Sequence, residues 1–193
     1  LFTLSPGGTT NTDGAFPGLA PGIYTVNLTD ARSCGPVTSN SFNITQPAVI
    51  TITGTSFTHI TCHDFDNGEI HVTASGGNAP LTYTLNPGAL AQANGDFTSL
   101  AEDTYTVTVT DTKGCPPAVT GNIIITNPPE ISVDSQKVTQ ISCNGAKNGA
   151  ITIYASGGTG TLHFTLNPGA VSNTSGVFSG LEPNDYTITV TDD

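Results

Sequence analysis

The chain has 193 residues, a formal net charge of −11 and only four Lys and Arg residues. This acidic balance argues against nucleic acid and anionic membranes as partners, because both are bound through clustered basic side chains. Charged residues make up 10% of the chain, and no stretch shows the 3.6-residue apolar period of a helix. The composition therefore predicts an all-β protein, and it is typical of a soluble extracellular one.

One alternating phrase occurs three times, as YTVNLTD at 24–30, YTVTVTD at 105–111 and YTITVTD at 186–192. The copies are 81 residues apart, and their alternation of β-branched residues is typical of a half-buried strand. The period predicts a partial module at 1–47, a complete one at 48–128, and a partial one at 129–193 that lacks its last strand. Because the chain starts within a repeat and contains no Met, we expect it to be an excerpt of a longer protein.

The central module contains the pattern of an immunoglobulin-like β-sandwich, with seven short strands at regular spacing. Strand A is predicted within 49–61, alternating around Ile50, Ile52 and Phe57, and strand G at 122–126 has Ile123 and Ile125 inward. The strands between them are predicted as B at 69–74, C at 81–85 and F at 105–111, with a variable loop at 89–96 and the motif Gly95-x-Phe97-x-x-Leu100, whose Phe and Leu we expect to be core anchors.

Two repeated turn motifs separate these strands. Ser75-Gly76-Gly77 recurs as Ser156-Gly157-Gly158, and paired glycines permit positive φ at a tight crossing between sheets. Asn86-Pro87-Gly88 recurs as Asn167-Pro168-Gly169 and Ser5-Pro6-Gly7, a pattern that predicts a type II turn.

Tyr24, Tyr105 and Tyr186 occupy one position at the start of strand F. A tyrosine there, after a tight turn, is typical of a tyrosine corner, whose hydroxyl bonds to upstream backbone. A plain core aromatic is the alternative interpretation, and both assign these residues a structural role.

Candidate catalytic and metal-binding residues do not repeat. The four histidines, His59, His63, His71 and His163, are replaced one period away by Gln140, Asn144, Thr152 and Thr82, so we expect no enzyme. His59, Cys62, His63 and His71 have spacings that permit a metal ion. Because the third module replaces each of these His residues, we favour the interpretation that they are exposed polar residues around a turn. We expect no catalytic residues and no cofactor.

Calcium is the remaining cofactor hypothesis. The segment 64–69 resembles half a calcium loop, but its copy at 144–149 has no carboxylate, and Asn-Gly turn chemistry alone explains both. Asp30, Asp111 and Asp192 do repeat at the end of strand F. An Asp there can cap the following turn, and calcium at a module junction is the weaker alternative.

The ordered motifs resemble the SprB repeat, a module similar to the PKD and bacterial immunoglobulin-like domains. They are Cys62, Asn67-Gly68, Ser75-Gly76-Gly77, Tyr83, Phe97-x-x-Leu100, the phrase at 105–111 and Cys115, with a second copy from Cys143 to Asp192 and a cut copy from Phe2 to Cys34. The resemblance implies a long, repetitive cell-surface protein of gliding Bacteroidetes, exported by type IX secretion and acting as a mobile adhesin.

Within such a protein we expect stalk or shaft repeats of a surface adhesin or filament, related to gliding motility or attachment. The expected partners are neighbouring repeats of the same chain, with a surface glycan or matrix ligand bound through other regions and no insertion into a membrane. The alternative is a carbohydrate- or ligand-binding module that uses loops such as 89–96. Against it, the chain has no Trp, and core positions explain all eight Phe.

The four cysteines occupy two phases, Cys34 and Cys115 after strand F, and Cys62 and Cys143 before strand B. An extracellular array should be oxidised, and the period permits bridges spanning 28 residues, 53 residues or more distant modules. The A–B and F–G turns lie at opposite ends of a sandwich, which disfavours Cys62–Cys115. We favour bridges between neighbouring modules, with Cys62 pairing beyond Asp193 and Cys115 before Leu1, in an extended rod.

Overall fold

A computed structural model describes residues 1–32 and 35–193, so Cys34 lies outside the described residues. The described part is all-β and consists of antiparallel sheets in immunoglobulin-like sandwiches. It separates into two compact units, Leu1–Val49 and Ile50–Asp193. The module boundaries after 47 and 128 stay predictions. Among these residues, no helix has the length and apolar character needed to cross a membrane.

The unit Leu1–Val49 contains a single five-stranded sheet. Its strands are β1 (Phe2–Ser5), β2 (Thr10–Asn11), β3 (Gly22–Leu28), β4 (Val37–Thr38) and β5 (Phe42–Ile44). The sheet order is β2-β1-β3-β4, and β5 pairs with the start of β3, where Tyr24 lies opposite Phe42.

The second copy of the repeat begins the unit Ile50–Asp193 and contains two facing sheets. Its strands are β6 (Thr51–Thr58), β7 (Gly68–Ser75), β8 (Thr82–Asn86), β9 (Leu90–Gln92), β10 (Asp96–Leu100), β11 (Asp103–Thr110), β12 (Ala118–Val119) and β13 (Ile123–Ile125). One sheet has the order β10-β7-β6, and the other has the order β12-β11-β8-β9 with β13 also on β11.

The third copy repeats this arrangement with fewer strands. Its strands are β14 (Ser132–Thr139), β15 (Gly149–Ser156), β16 (His163–Asn167), β17 (Val171–Asn173), β18 (Val177–Leu181) and β19 (Thr187–Thr191). They form the sheets β14-β15-β18 and β17-β16-β19, which correspond to the two sheets of the second copy.

The strict alternation of β7 and β11 builds the core of the second copy. Ile70 and Val72 of β7 face Val107 and Val109 of β11, and all four are almost completely buried. Burial of one such side chain stabilises the fold by roughly 1.5–3 kcal/mol. Thirteen buried residues form this core, including Tyr105, Ile123 and Ile125, whereas four buried residues form the core of the third copy.

Phe97 and Leu100 both belong to the core, although residues three apart in a regular strand face opposite sides. The register of β10 against β7 shifts between them, and Ser99 between them has φ = 58°. This bulge turns both anchors inward, so the predicted role of the Phe-x-x-Leu motif is confirmed.

Several local predictions differ from the structure. Strand β6 has a register shift between Ile52 and Gly54, which breaks the expected alternation, and Phe57 near its end is 46% exposed. The loop at 89–96 contains the strand β9, and an additional short strand, β12, precedes β13, which lies within the predicted strand G at 122–126. The second copy therefore has eight strands instead of seven. Strand β11, which is the predicted strand F, begins at Asp103, two residues before the predicted start at Tyr105.

The positive φ expected at both repeated turn motifs is present. Gly76 and Gly77 have φ of 87° and 64°, and their third-copy equivalents repeat these values closely, at 96° and 68°. The peptide bonds Ser5–Pro6, Asn86–Pro87 and Asn167–Pro168 are cis, which the sequence pattern did not predict. Gly88 keeps the expected positive φ of 102°.

Candidate functional site: the turn cap and the repeat junction

The carboxylate of Asp111 connects two repeated motifs of the second copy, the Ser-Gly-Gly turn and the end of β11. Its Oδ2 accepts hydrogen bonds from the Asn78 backbone N at 2.9 Å and from Asn78 Nδ2 at 3.0 Å. Its Oδ1 accepts from the backbone N of Lys113 and of Cys115, both at 3.0 Å. Asp111 therefore caps its own turn and also fastens it to the loop after β7.

The same carboxylate cap recurs in the other copies. Asp192 Oδ2 accepts from the Thr159 backbone N at 2.7 Å and from the Thr159 hydroxyl at 3.2 Å. Asp30 Oδ1 accepts from the Arg32 backbone N at 2.9 Å. Asp30 therefore caps the turn that follows it, as expected, whereas Asp192 fastens the end of strand F to the loop after β15. Each of them shares one of the two roles of Asp111.

A close approach of glycine makes room for the cap. A Cβ atom on Gly77 would lie 3.3 Å from Asp111 Oδ2 and 2.8 Å from Ile50 Cγ1. A Cβ on Gly158 would lie 2.7 Å from Asp192 Oδ2. Gly77 and Gly158 also have positive φ, so both the space and the backbone conformation favour glycine at this position.

Hydrogen bonds to the ionised carboxylates of Asp111 and Asp192 shift the pKa values of these side chains and of Cys115. The Cys115 thiol, followed by the backbone N of Asn78, holds the pKa of Asp111 well below its usual range. The same contact raises the pKa of the Cys115 thiol. In the third copy, the backbone N of Thr159 is the main cause of the lowered pKa of Asp192.

The calcium hypothesis for Asp30, Asp111 and Asp192 stays a prediction. In this arrangement the oxygens of Asp111 and Asp192 already face N–H donors, which carry partial positive charge. Within residues 1–32 and 35–193, no three His, Cys, Asp or Glu side chains cluster as a metal site would need.

The segment that resembles half a calcium loop is fastened by an asparagine clamp. Asn67 Oδ1 accepts from the Thr61 backbone N at 3.1 Å, and Asn67 Nδ2 donates to the Thr61 hydroxyl at 2.6 Å. Asn148 makes the same pair of contacts with Ser142, at 3.1 and 2.7 Å. The repeated Asn-Gly pair was the sequence signal for this clamp, although its partner was not predicted.

Each tyrosine at the start of strand F donates its hydroxyl hydrogen to the carbonyl four residues upstream. Tyr24 bonds Ala20 at 3.0 Å, Tyr105 bonds Ala101 at 3.1 Å and Tyr186 bonds Glu182 at 3.2 Å. This is the geometry of a tyrosine corner. Burial, followed by the nearby charge of Asp103, raises the pKa of Tyr105.

The four residues considered for a metal site have separate partners. His59 Nδ1 accepts from the Thr126 backbone N at 3.2 Å, His63 Nδ1 donates to the Pro128 carbonyl at 2.8 Å, and His71 pairs with Asp96. The Cys62 sulfur lies 3.9 Å from the Thr61 hydroxyl. His59 and His63 therefore fix the end of the second copy instead of converging on one ion.

The junction between the second and third copies is fastened from both sides. His63, in the A–B turn of the second copy, bonds the Pro128 carbonyl, and the Gly158 backbone N donates to the Pro129 carbonyl at 2.8 Å. The Thr159 hydroxyl also donates to the Thr61 carbonyl at 3.0 Å, which links the two copies directly. Because the Thr159 backbone N donates to Asp192 Oδ2, Thr159 connects the third-copy cap to the A–B turn of the second copy.

The cysteines Cys62, Cys115 and Cys143 carry free thiols, and Cys34 lies outside the described residues. Cys62 precedes β7, whereas Cys115 lies 3.6 Å from Asn78 Nδ2, just after β7. The eight residues of β7 separate them by roughly 26 Å at about 3.3 Å per residue. This distance is far greater than the Cα spacing of a disulfide.

These features define a tandem array of immunoglobulin-like β-sandwich repeats, each closed by a tyrosine corner and an aspartate cap. Residues 50–90 and 135–171 both match the model of the SprB repeat family. Two segments of the chain are therefore similar to the SprB repeat, and the resemblance seen in the sequence is confirmed. No curated protein matches the chain.

Proposed function

We propose that this chain is a stalk segment of a cell-surface adhesin, in which the repeats supply length and stiffness between an attachment point and an adhesive region. SprB repeats belong to adhesin-type proteins exposed at the cell surface, so the array is an adhesin-related repeat region. The finer parts of the proposal are an extracellular filament or shaft, a role in gliding motility or attachment, and export by type IX secretion.

The fastened junction between the second and third copies is the observation that carries this proposal. Three hydrogen bonds fasten it. The His63 side chain bonds the Pro128 carbonyl, the Gly158 backbone N bonds the Pro129 carbonyl, and the Thr159 hydroxyl bonds the Thr61 carbonyl, which links the two copies directly. Proline fixes φ in the connecting segment, so few backbone rotations remain there. A connection of this kind transmits orientation from one repeat to the next, as a stalk requires.

The proposed role is structural and does not involve catalysis or a cofactor. The hydrogen bonds of the repeated polar side chains support this proposal. The repeated Asp, Asn and Tyr residues all cap turns or fasten loops, as Asp111, Asn67 and Tyr105 do. We propose neighbouring repeats of the same chain as the direct partners of this segment, and neither nucleic acid nor membrane.

Residual dipolar couplings of the labelled chain test the stiffness of the junction. For a fastened junction we expect one alignment tensor to fit amides from both copies within residues 50–193. The double variant Thr159→Val and His63→Ala should require two tensors, because it removes both side-chain contacts at the junction. Thr189→Val, an exposed change on β19, is the matched control and should retain one tensor. Two independent tensors for the wild-type chain would overturn the stalk proposal.

A ligand-binding module is the second candidate, and exposed aromatic side chains favour it. The expectation that core positions explain all eight Phe is wrong, because Phe42, Phe57 and Phe65 are exposed, as is Tyr154. Exposed aromatic rings are suitable platforms for the apolar faces of sugars. A glycan array separates the two candidates, since reproducible binding that disappears in Phe65→Ala would favour a carbohydrate-binding role over a stalk.

A further inference from the structure

Four Asn-Gly pairs occur in the chain, at 67–68, 94–95, 144–145 and 148–149. Asparagine before glycine is chemically labile, because the glycine residue has no Cβ atom to hinder its backbone nitrogen, which can attack the side-chain amide carbon of the asparagine. The attack requires both residues to rotate away from a fixed conformation, so local packing and hydrogen bonding control it. The surroundings of each pair therefore set its reactivity.

Three of the four glycines are buried and lie against neighbouring strands: Gly68, Gly95 and Gly149. A Cβ atom on each of them would meet the carbonyl oxygen of a strand residue, namely Leu100, Val72 and Leu181 respectively. The backbone nitrogens of these glycines can therefore move only when the adjoining strands open locally.

The asparagines of the same three pairs are bound through their side chains. Asn67 and Asn148 form the two clamps, in which both amide atoms have partners. Asn94 Nδ2 donates to Asp96 Oδ2 at 3.3 Å. In these pairs both the attacking nitrogen and the carbon that it would attack are held in place.

The pair Asn144-Gly145 differs in every one of these respects. Both residues are exposed, and no atom lies within 4 Å of the Cβ position of Gly145, whose φ is 79°. Among residues 1–32 and 35–193, the Asn144 side chain has no hydrogen-bond partner. Asn148 is followed by the same Gly-Ala sequence, so the A–B turn of the third copy contains one free and one bound copy of the triplet Asn-Gly-Ala.

We propose that Asn144 is a site of spontaneous covalent modification, which converts it to Asp and isoAsp while the other three pairs stay intact. The Gly145 backbone nitrogen forms a bond to Asn144 Cγ, and the bond from Cγ to Nδ2 breaks. The side-chain NH2 group leaves as ammonia with the hydrogen of the Gly145 amide, and a cyclic imide remains. Water then adds to one of the two imide carbonyls and breaks its bond to nitrogen, which regains a hydrogen. Opening at one carbonyl gives Asp, and opening at the other gives isoAsp.

The modification changes the chemistry of the A–B turn of the third copy. Asn144 occupies the position of His63 one period earlier, and the His63 ring donates to the Pro128 carbonyl. An ionised carboxylate only accepts hydrogen bonds, so the product adds a negative charge and cannot donate from this position. IsoAsp also lengthens the backbone within the turn that the Ala146 backbone N closes on the Cys143 carbonyl at 3.0 Å.

Peptide mapping of the full 193-residue chain by mass spectrometry, after incubation at mildly alkaline pH, tests the proposal. In the folded chain, Asn144 should convert at least about tenfold faster than Asn148, since Asn148 reacts only after local opening. The same incubation in concentrated urea is the reference. There the two residues should convert at similar rates, because the sequence that follows them is identical.

Two variants locate the reaction in the intact folded chain. Asn144→Gln should keep the net charge constant during the incubation, since attack on the longer side chain would have to close a larger ring. Asn94→Gln is the matched control, because Asn94 is also exposed, and it should acquire negative charge as wild type does.

Three results would overturn the proposal. Equal conversion of Asn144 and Asn148 in the folded chain would show that the clamp and the buried glycine give no protection. Fastest conversion at Asn94 would show that exposure of the asparagine alone decides the site. Conversion of Asn144 in urea but not in the folded chain would show that the turn keeps the Gly145 nitrogen away from the Asn144 side chain.

Discussion

At the residue scale, the hydroxyl of Tyr105 has a stabilising role that its ring alone could not supply. The ring is 7% exposed, and its hydroxyl donates to the Ala101 carbonyl at 3.1 Å. Tyr105→Phe should lower the free energy of unfolding by roughly 1 kcal/mol, because the carbonyl loses its partner in a partly buried place. Tyr154→Phe is the control, since Tyr154 is 57% exposed and should melt like wild type. If Tyr105→Phe melts at the same temperature as wild type, the hydrogen bond of the tyrosine corner does not stabilise the fold.

The aspartate caps predict a loss of stability in acid. The lowered pKa values of Asp111 and Asp192 mean that these carboxyls bind protons more readily in the unfolded chain, where their pKa is near 3.8. Their contribution is therefore complete above that value and is lost as the pH falls through the folded-state pKa values. Urea unfolding between pH 6 and pH 2 should show this decline, and Asp111→Asn should make the decline shallower. An unchanged slope in the variant would contradict the capping role of Asp111.

At the element scale, the turn after β7 depends on a glycine that lies against two other elements. Gly77→Ala should destabilise the chain by more than about 1 kcal/mol, because φ is 64° and the new Cβ would meet Ile50 at 2.8 Å. Gly121→Ala is the control, since no atom lies within 4 Å of its Cβ position. Denaturant midpoints of the two variants provide the comparison. A Gly77→Ala protein as stable as the Gly121→Ala protein would show that the turn can relax.

The elements that were predictable from the sequence are those in which a strict pattern and burial coincide. Strands β7 and β11 alternate without interruption, so their inward residues could be identified before the structure was seen. The bulges in β6 and β10 could not, because the shift between Ile52 and Gly54 depends on pairing with β7 rather than on local sequence. Local propensity likewise gave no sign of the cis prolines.

The candidate site was predictable only in part, for a related reason. The recurrence of Asp111 and Tyr105 at a fixed phase indicated structural roles, and turn capping was the favoured interpretation for Asp111. The partner of Tyr105 is local, but Asn78 contacts Asp111, and Thr61 contacts Thr159, from distant segments of the chain. Such contacts depend on how sheets and repeats are placed, which a single sequence does not reveal. Phe65 and Phe57 were misjudged because hydrophobicity alone does not distinguish a core position from an exposed edge.

At the scale of the whole molecule, stability should be distributed unevenly between the second and third copies. Thirteen buried residues form the core of the second copy and four form that of the third, where residues 184–186 line an open cavity. Local opening free energy follows buried apolar contact and satisfied backbone bonds. We therefore expect amides of β16 and β19 to exchange faster than those of β8 and β11.

Native-state hydrogen exchange followed by mass spectrometry measures this difference directly. Peptides covering Phe164 and Leu166 should lose protection at denaturant concentrations that leave their counterparts at Tyr83 and Leu85 protected. The two residues of each pair occupy the same position in the repeat. In addition, β8 pairs with β11 in the same register in which β16 pairs with β19, so the comparison controls for local structure. Equal exchange of the two copies in the free chain would show that the missing strand contributes little, and that the fastened junction makes residues 50–193 unfold as one unit.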